Sequence, residues 1–131
     1  DLRARLDAVR AFMGREEAES LIAANKRIGN ILKKQGGGIS TQIDADLLSF
    51  DEEKRLYSEV ESASKRVAPL FEQGAYADAL ETLAELREPV DRYFDSVMVM
   101  DEDPAVRANR LAQLATVKAL FDRVADFSQA D

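Results

Sequence analysis

The chain has 131 residues, 46% of them hydrophobic, and a formal net charge of −7, enough to bury one core and too little for two. Histidine and cysteine are both absent, which removes thiolate chemistry, disulfides, Cys/His zinc sites and the commonest general base. Apolar runs such as Val97–Met100 fall far below the roughly 20 residues of a membrane-spanning helix, and no leader pattern is present, so the expectation is one soluble domain over 1–131, part of a larger protein.

Apolar residues recur at helical spacing along almost the whole chain and no alternating strand pattern appears, so the class is all-α, a single bundle of about six helices. In chain order the predicted helices cover 2–13, 16–34, 51–67, 75–87, 89–99 and 104–127. Gly14, the Gly36-Gly37-Gly38 triplet, Pro69, Gly74, Pro89 and Pro104 supply the breaks between them. Pro89 and Pro104 suit the first turn of a helix, where a missing amide proton costs nothing. Asp103 is placed to cap the last helix, with Asp101 and Glu102 beside its positive end. Capping explains these three acids more economically than a divalent-cation site. The glycine triplet is followed by no Gly-Lys-Ser/Thr and preceded by no strand, so it reads as a connector rather than a phosphate loop.

Charge is distributed unevenly. Residues 20–43 hold four cations, Lys26, Arg27, Lys33 and Lys34, and no carboxylate, whereas 44–103 hold seventeen carboxylates against six cations. An acidic protein that contacts RNA must use a local basic surface, and the second helix is the place for it. At about 100° per residue, Leu21, Ala24, Ile28, Ile31 and Leu32 form one stripe, while Lys26, Asn30 and Lys33 cluster within about 60° on the other side. Cations that neutralise phosphates around an amide able to read a base edge suit a single-stranded loop. An ordinary solvated lysine face has the same pattern. Arg27 and Lys34 flank the cluster. Asn25, at the margin of the apolar stripe, is expected to anchor a neighbouring helix end by a hydrogen bond.

In the last helix, Arg107 and Arg110 share the stripe of Leu111, Leu114, Val117 and Phe121, and buried guanidinium groups need partners. Asp91 and Asp95 on the preceding helix are the expected partners of a structural ion pair; the alternative is that these arginines grip an RNA phosphate. Asn109 projects to the opposite side and is expected at the surface. Phe94 falls on the core stripe with Val90, Val97 and Met98, and Tyr93 beside it, either partly packed with its hydroxyl in water or stacking a base. The Val97–Met100 run is expected to be mostly core.

The run from Pro89 to Leu114 (PVDRYFDSVMVMDEDPAVRANRLAQL) closely resembles the C-terminal anticodon-binding domain of the bacterial glycyl-tRNA synthetase beta subunit. Within it, Ala105-Val-Arg-Ala-Asn-Arg-Leu is similar to the Asp-Ala-Leu-Arg element that names the DALR-type helical domains. Leu21-Ile-Ala-Ala-Asn-Lys-Arg-Ile-Gly-Asn-Ile-Leu resembles the helix that precedes it in the family. Phe50-Asp51 departs from the Glu-Pro expected there. The resemblance covers nearly the whole chain, from Leu2 to Gln129.

It implies a tRNA-recognition module with no catalytic site of its own, within a cytoplasmic ligase that uses ATP and magnesium to join glycine to its tRNA; no cofactor and no metal are expected in this fragment. The implied partners are glycine tRNA, the rest of the beta subunit and the catalytic alpha subunit, with no membrane; the fragment alone is expected to be monomeric. Lys26, Arg27, Asn30, Lys33, Lys34, Asn109, Arg107 and Arg110 are the candidate RNA contacts. An arginyl-type synthetase domain, against which the Val-Met-Val-Met-Asp-Glu-Asp segment argues, and a helical docking module that never touches RNA are the alternatives.

Overall fold

The computed structural model, which describes residues 1–129, builds six α-helices. Helix α1 (Leu2–Met13) begins where the Asp1 carboxylate accepts the Arg3 amide at 2.9 Å, capping one of the four otherwise unpaired first-turn donors. Helix α2 (Glu16–Lys34) has Glu16, Glu17 and Glu19 in its first turn and Lys33 and Lys34 in its last, the order that complements its dipole. The chain leaves α2 through Gly36, Gly37 and Gly38, at φ +86°, +76° and +67°. Three successive left-handed residues are available only to glycine without strain.

After a 3-10 turn (Ala45–Leu47) comes α3 (Asp51–Glu72). Its start is held by Glu53, whose carboxylate reaches back to the Phe50 amide at 3.1 Å and the Ser49 hydroxyl at 3.2 Å. The expected break at Pro69 does not occur, because Pro69 sits in the last turns of α3 on an exposed face. The hydrogen bond it removes would have ended on the carbonyl of exposed Lys65, which water can satisfy.

Helices α4 (Tyr76–Ala84) and α5 (Arg87–Ser96) follow, with Pro89 in the first turn of α5. Residues 97–103 run without helix to α6 (Pro104–Gln129), whose first turn is capped by Asp103, accepting the Ala105 amide at 2.9 Å and the Val106 amide at 3.4 Å. The end at Ala130 and Asp131 lies outside the described residues.

One apolar cluster joins the helices. Leu21, Ala24 and Ile28 of α2, Leu56, Val60, Ala63 and Val67 of α3, Leu80 and Leu83 of α4, Val90 and Tyr93 of α5, and Leu114, Val117 and Phe121 of α6 all belong to it. Helix α3 packs on α4, α5 and α6, while α2 packs on α5 and α6. Residues 109–115 of α6 are buried without interruption, so this helix is enclosed on more than one face. Among the described residues there is no strand, and no helix is long and apolar enough to cross a membrane.

Candidate nucleic-acid interface

Helix α2 buries the stripe Ala18, Leu21, Ala24 and Ile28 and exposes Lys26, Arg27, Asn30, Lys33 and Lys34. The apolar half fixes the rotation of the helix, so the opposite half must face water. Among the described residues, none of these four cations is paired with a carboxylate. In a chain of net charge −7 such an unneutralised row is a natural landing place for phosphate.

Arg27 is the most fixed of the four. Its guanidinium carbon lies 4.2 Å from the centre of the Phe94 ring, a cation–π contact that restrains the long side chain. Asp91 and Asp95 line the same shallow pocket as Arg27 and Phe94, so carboxylates border this edge of the row. Lys26, Asn30 and Lys33 do not line it.

The sequence reading missed Lys118. A Cβ added at Gly29 would stand 3.8 Å from the Lys118 Cε, so the lysine stem from α6 lies over the glycine in the middle of α2. Its ammonium, 3.1 Å from Asp122, adds a partly neutralised cation at the margin of the row. The signal was Gly29 itself, since a glycine inside a helix commonly marks the close approach of another element.

Of the predicted site residues on α6, Asn109 is placed differently, and Arg107 and Arg110 take other partners than expected. Asn109 does not reach the surface: it is 5% exposed. Its Oδ1 accepts the Asp44 amide at 2.7 Å and its Nδ2 donates to the Asp44 carbonyl at 3.1 Å, which fastens the segment leaving α2 onto α6. Arg110 is buried at 4% exposure against fully buried Glu53. Its Nε and Nη2 donate to the Glu53 carboxylate at 3.3 Å each, its Nη1 donates to the Met98 carbonyl at 2.7 Å, and the same nitrogen lies 3.5 Å from Asp101. Arg107 is half-buried and donates to the Asp101 carbonyl at 3.1 Å.

The expected partners Asp91 and Asp95 are therefore not the ones used. Helix α5 packs chiefly on α2 and α3, which turns its acids away from α6, and Asp91 pairs with Arg87 on its own helix at 3.5 Å. The Arg110 pair is structural, but it joins α6 to α3 and to the 97–103 segment. Burial alone would push the Glu53 carboxyl up; the Arg110 guanidinium and the Phe50 and Ser49 amides outweigh it and hold the group below its ordinary value.

The aromatic pair is also exchanged. Tyr93 is completely buried, its hydroxyl donating to the Arg110 carbonyl at 3.4 Å, and burial raises its pKa. Phe94 is the half-buried one beside Arg27. Because α5 stops at Ser96, Val97–Met100 alternates instead of following helical spacing, and Met98 is 70% exposed. Asn25 makes no anchoring bond through its Oδ1, which is buried without a partner.

The family profile described as "DALR anticodon binding domain" matches residues 21–126. Over 129 residues, 98% of this chain, it is 54% identical to the glycine–tRNA ligase beta subunit of Marinobacter nauticus and 50% identical to that of Chromohalobacter salexigens, and it spans 19% of each relative's length. The beta subunit of Delftia acidovorans is 49% identical over the same share of the chain, which spans 18% of it. From the α2 row to the last turns of α6, the matched stretch contains every element that builds the basic surface and its supports, and the chain belongs to the DALR anticodon-binding domain family.

Proposed function

We propose that this chain is the tRNA-recognition module of a glycine–tRNA ligase beta subunit, and that it docks the anticodon loop on the exposed face of α2. The observation that carries the reading is the row Lys26, Arg27, Lys33 and Lys34, exposed and free of carboxylate partners among the described residues of an acidic chain. In this docking the lysines neutralise phosphates and Asn30, between them, hydrogen-bonds the edge of an unstacked base. Arg27, braced on Phe94, offers a preorganised guanidinium. Arg107 spends one donor on Asp101 and has others left for a phosphate, whereas Asn109 and Arg110 act by holding the scaffold. The names of the relatives favour glycine tRNA over the substrate of an arginyl-type enzyme.

The domain contributes binding rather than chemistry on this reading, and ATP, magnesium and the catalytic alpha subunit belong to the complete cytoplasmic ligase. The remaining partner is the rest of the beta subunit. A groove of about 430 Å³ lined by Leu6, Val9, Met13, Ile22 and Leu83, with Met13 and Ile22 exposed, offers that polypeptide an apolar seat.

The test is glycine-tRNA binding by the Lys26→Glu/Lys33→Glu variant. Binding should be lost with the helical circular-dichroism signal and melting temperature preserved. Unchanged affinity in the folded variant refutes the assigned face.

A further inference from the structure

Away from the basic row, the segment that leaves α2 forms one wall of a pocket of about 340 Å³ whose other walls are α3 and α6. Ile43 and Val60 make it apolar, Tyr57 gives it an aromatic ring, and Gln42, Ser64 and Gln113 give it polar edges. Gln113 is the informative residue. It is 2% exposed, its Nε2 donates to the Glu53 carbonyl at 2.9 Å, and its Oε1 is buried with no hydrogen-bond partner.

The orientation of this amide is not arbitrary. Exchanging oxygen and nitrogen would set two carbonyl oxygens against each other at Glu53, so the free group is the acceptor. Nor can the neighbouring hydroxyl supply a donor, because Thr116 spends its own on the Ala112 carbonyl at 2.9 Å. The acceptor is also held rigidly: Glu53 is clamped by Arg110, which lies one turn before Gln113 on the same helix. A fixed, buried acceptor with no internal donor is the kind of group a ligand completes.

Beside the lining, Arg123 donates to the backbone carbonyl of Ser64, one of the lining residues, at 2.5 Å and pairs with no carboxylate among the described residues. Glu61, the acid on the lining, is answered by Lys65 at 3.3 Å. A cation therefore stands beside the lining for a backbone phosphate, the wall holds a ring for stacking, and Gln113 holds one unpartnered acceptor.

We propose that this pocket receives a single unstacked RNA base carrying an exocyclic amino group, stacked on Tyr57 and donating to Gln113 Oε1, with its phosphate on Arg123. The assignment rests on the tRNA reading above and makes Gln113 its specificity-determining residue. Cytosine, adenine and guanine present an amino edge. Uracil offers only an N–H flanked by two carbonyl oxygens, and these oppose the carbonyl acceptor. A site whose buried polar group is left unpaired by the wrong partner discriminates strongly.

The experiment uses the full-length protein that carries this domain and glycine tRNAs in which the amino group of one loop base at a time is removed: 2-pyrimidinone for cytosine, purine for adenine, hypoxanthine for guanine. For the unaltered protein, one loop position should show a loss of about tenfold or more in affinity, the size of a good base contact. Gln113→Met should already be weakened for the natural tRNA and lose less than about threefold further at that position, a non-additive result. Tyr57→Ala, whose side chain is half-buried, keeps the test open if Gln113→Met unfolds: it should weaken binding and shrink the same discrimination. Equal amino-group effects in both proteins, or no effect at any position, overturn the pocket while leaving the salt-dependent α2 contact standing. Absence of all tRNA binding overturns both.

Discussion

Replacing Arg110 with Met should destabilise the fold far more than removing any exposed cation of α2. The substitution deletes both donors to the Glu53 carboxylate, the bond to the Met98 carbonyl and the approach to Asp101, and it leaves a fully buried carboxylate held only by the Ser49 and Phe50 groups. Breaking a buried pair from one side costs about 3–5 kcal/mol. A chain of 131 residues falls between the size classes in which 1 kcal/mol moves the melting temperature by roughly 4–8 °C and roughly 2–4 °C, so a fall of about 10–20 °C is expected. Thermal unfolding followed by far-ultraviolet circular dichroism measures it. Glu53→Gln/Arg110→Met should recover part of the loss, since the stranded charge is then gone. A fall below about 3 °C, small beside the buried-pair penalty, would refute the reasoning that Arg110 is a scaffold residue.

Asn109→Ala removes both bonds to Asp44 and should cost about 1–3 kcal/mol; hydrogen exchange at the Asp44 amide should speed up, and unchanged protection contradicts the tether. Glu53, held below the ordinary glutamate value of 4.5, contributes stability that is complete above that value and lost as pH falls through its lowered folded value. Urea midpoints measured downward from about pH 7 should therefore fall less steeply in the acid range for Glu53→Gln than for the unaltered chain, once the offset at neutral pH is subtracted. Lys118→Glu should weaken tRNA binding and reduce its salt slope by about 0.7–0.9; an unchanged slope removes Lys118 from the surface.

Helix positions were legible because their punctuation is local. Gly14, the glycine triplet and Asp103 each act on neighbouring backbone groups, and α1 and α2 end where the periodicity ends. The apolar stripe of α2 was equally readable, since this helix has one buried and one wet face. Helix α6 defeats the same method. With 109–115 buried all round, a projection that assumes a single apolar face sends Asn109 to solvent, although another segment covers it there. Residues 97–103 defeat it differently: a helical reading through Val99 rotates Tyr93 out and Phe94 in, and aims Asp91 and Asp95 at α6. The partner of Arg110 is Glu53, far away along the chain, and only the packing of α3 on α6 brings the two together. The unpartnered oxygen of Gln113 is likewise a product of three elements meeting.

The central claim, anticodon recognition through the α2 row, is tested most directly by titrating the protein with glycine tRNA and with the same tRNA carrying altered anticodon bases, at two salt concentrations. The account predicts affinity that falls with salt by about 0.7–0.9 log units per log unit for each phosphate contact, and weaker binding once the anticodon is altered. Salt-independent binding, or equal affinity for both tRNAs, would contradict it.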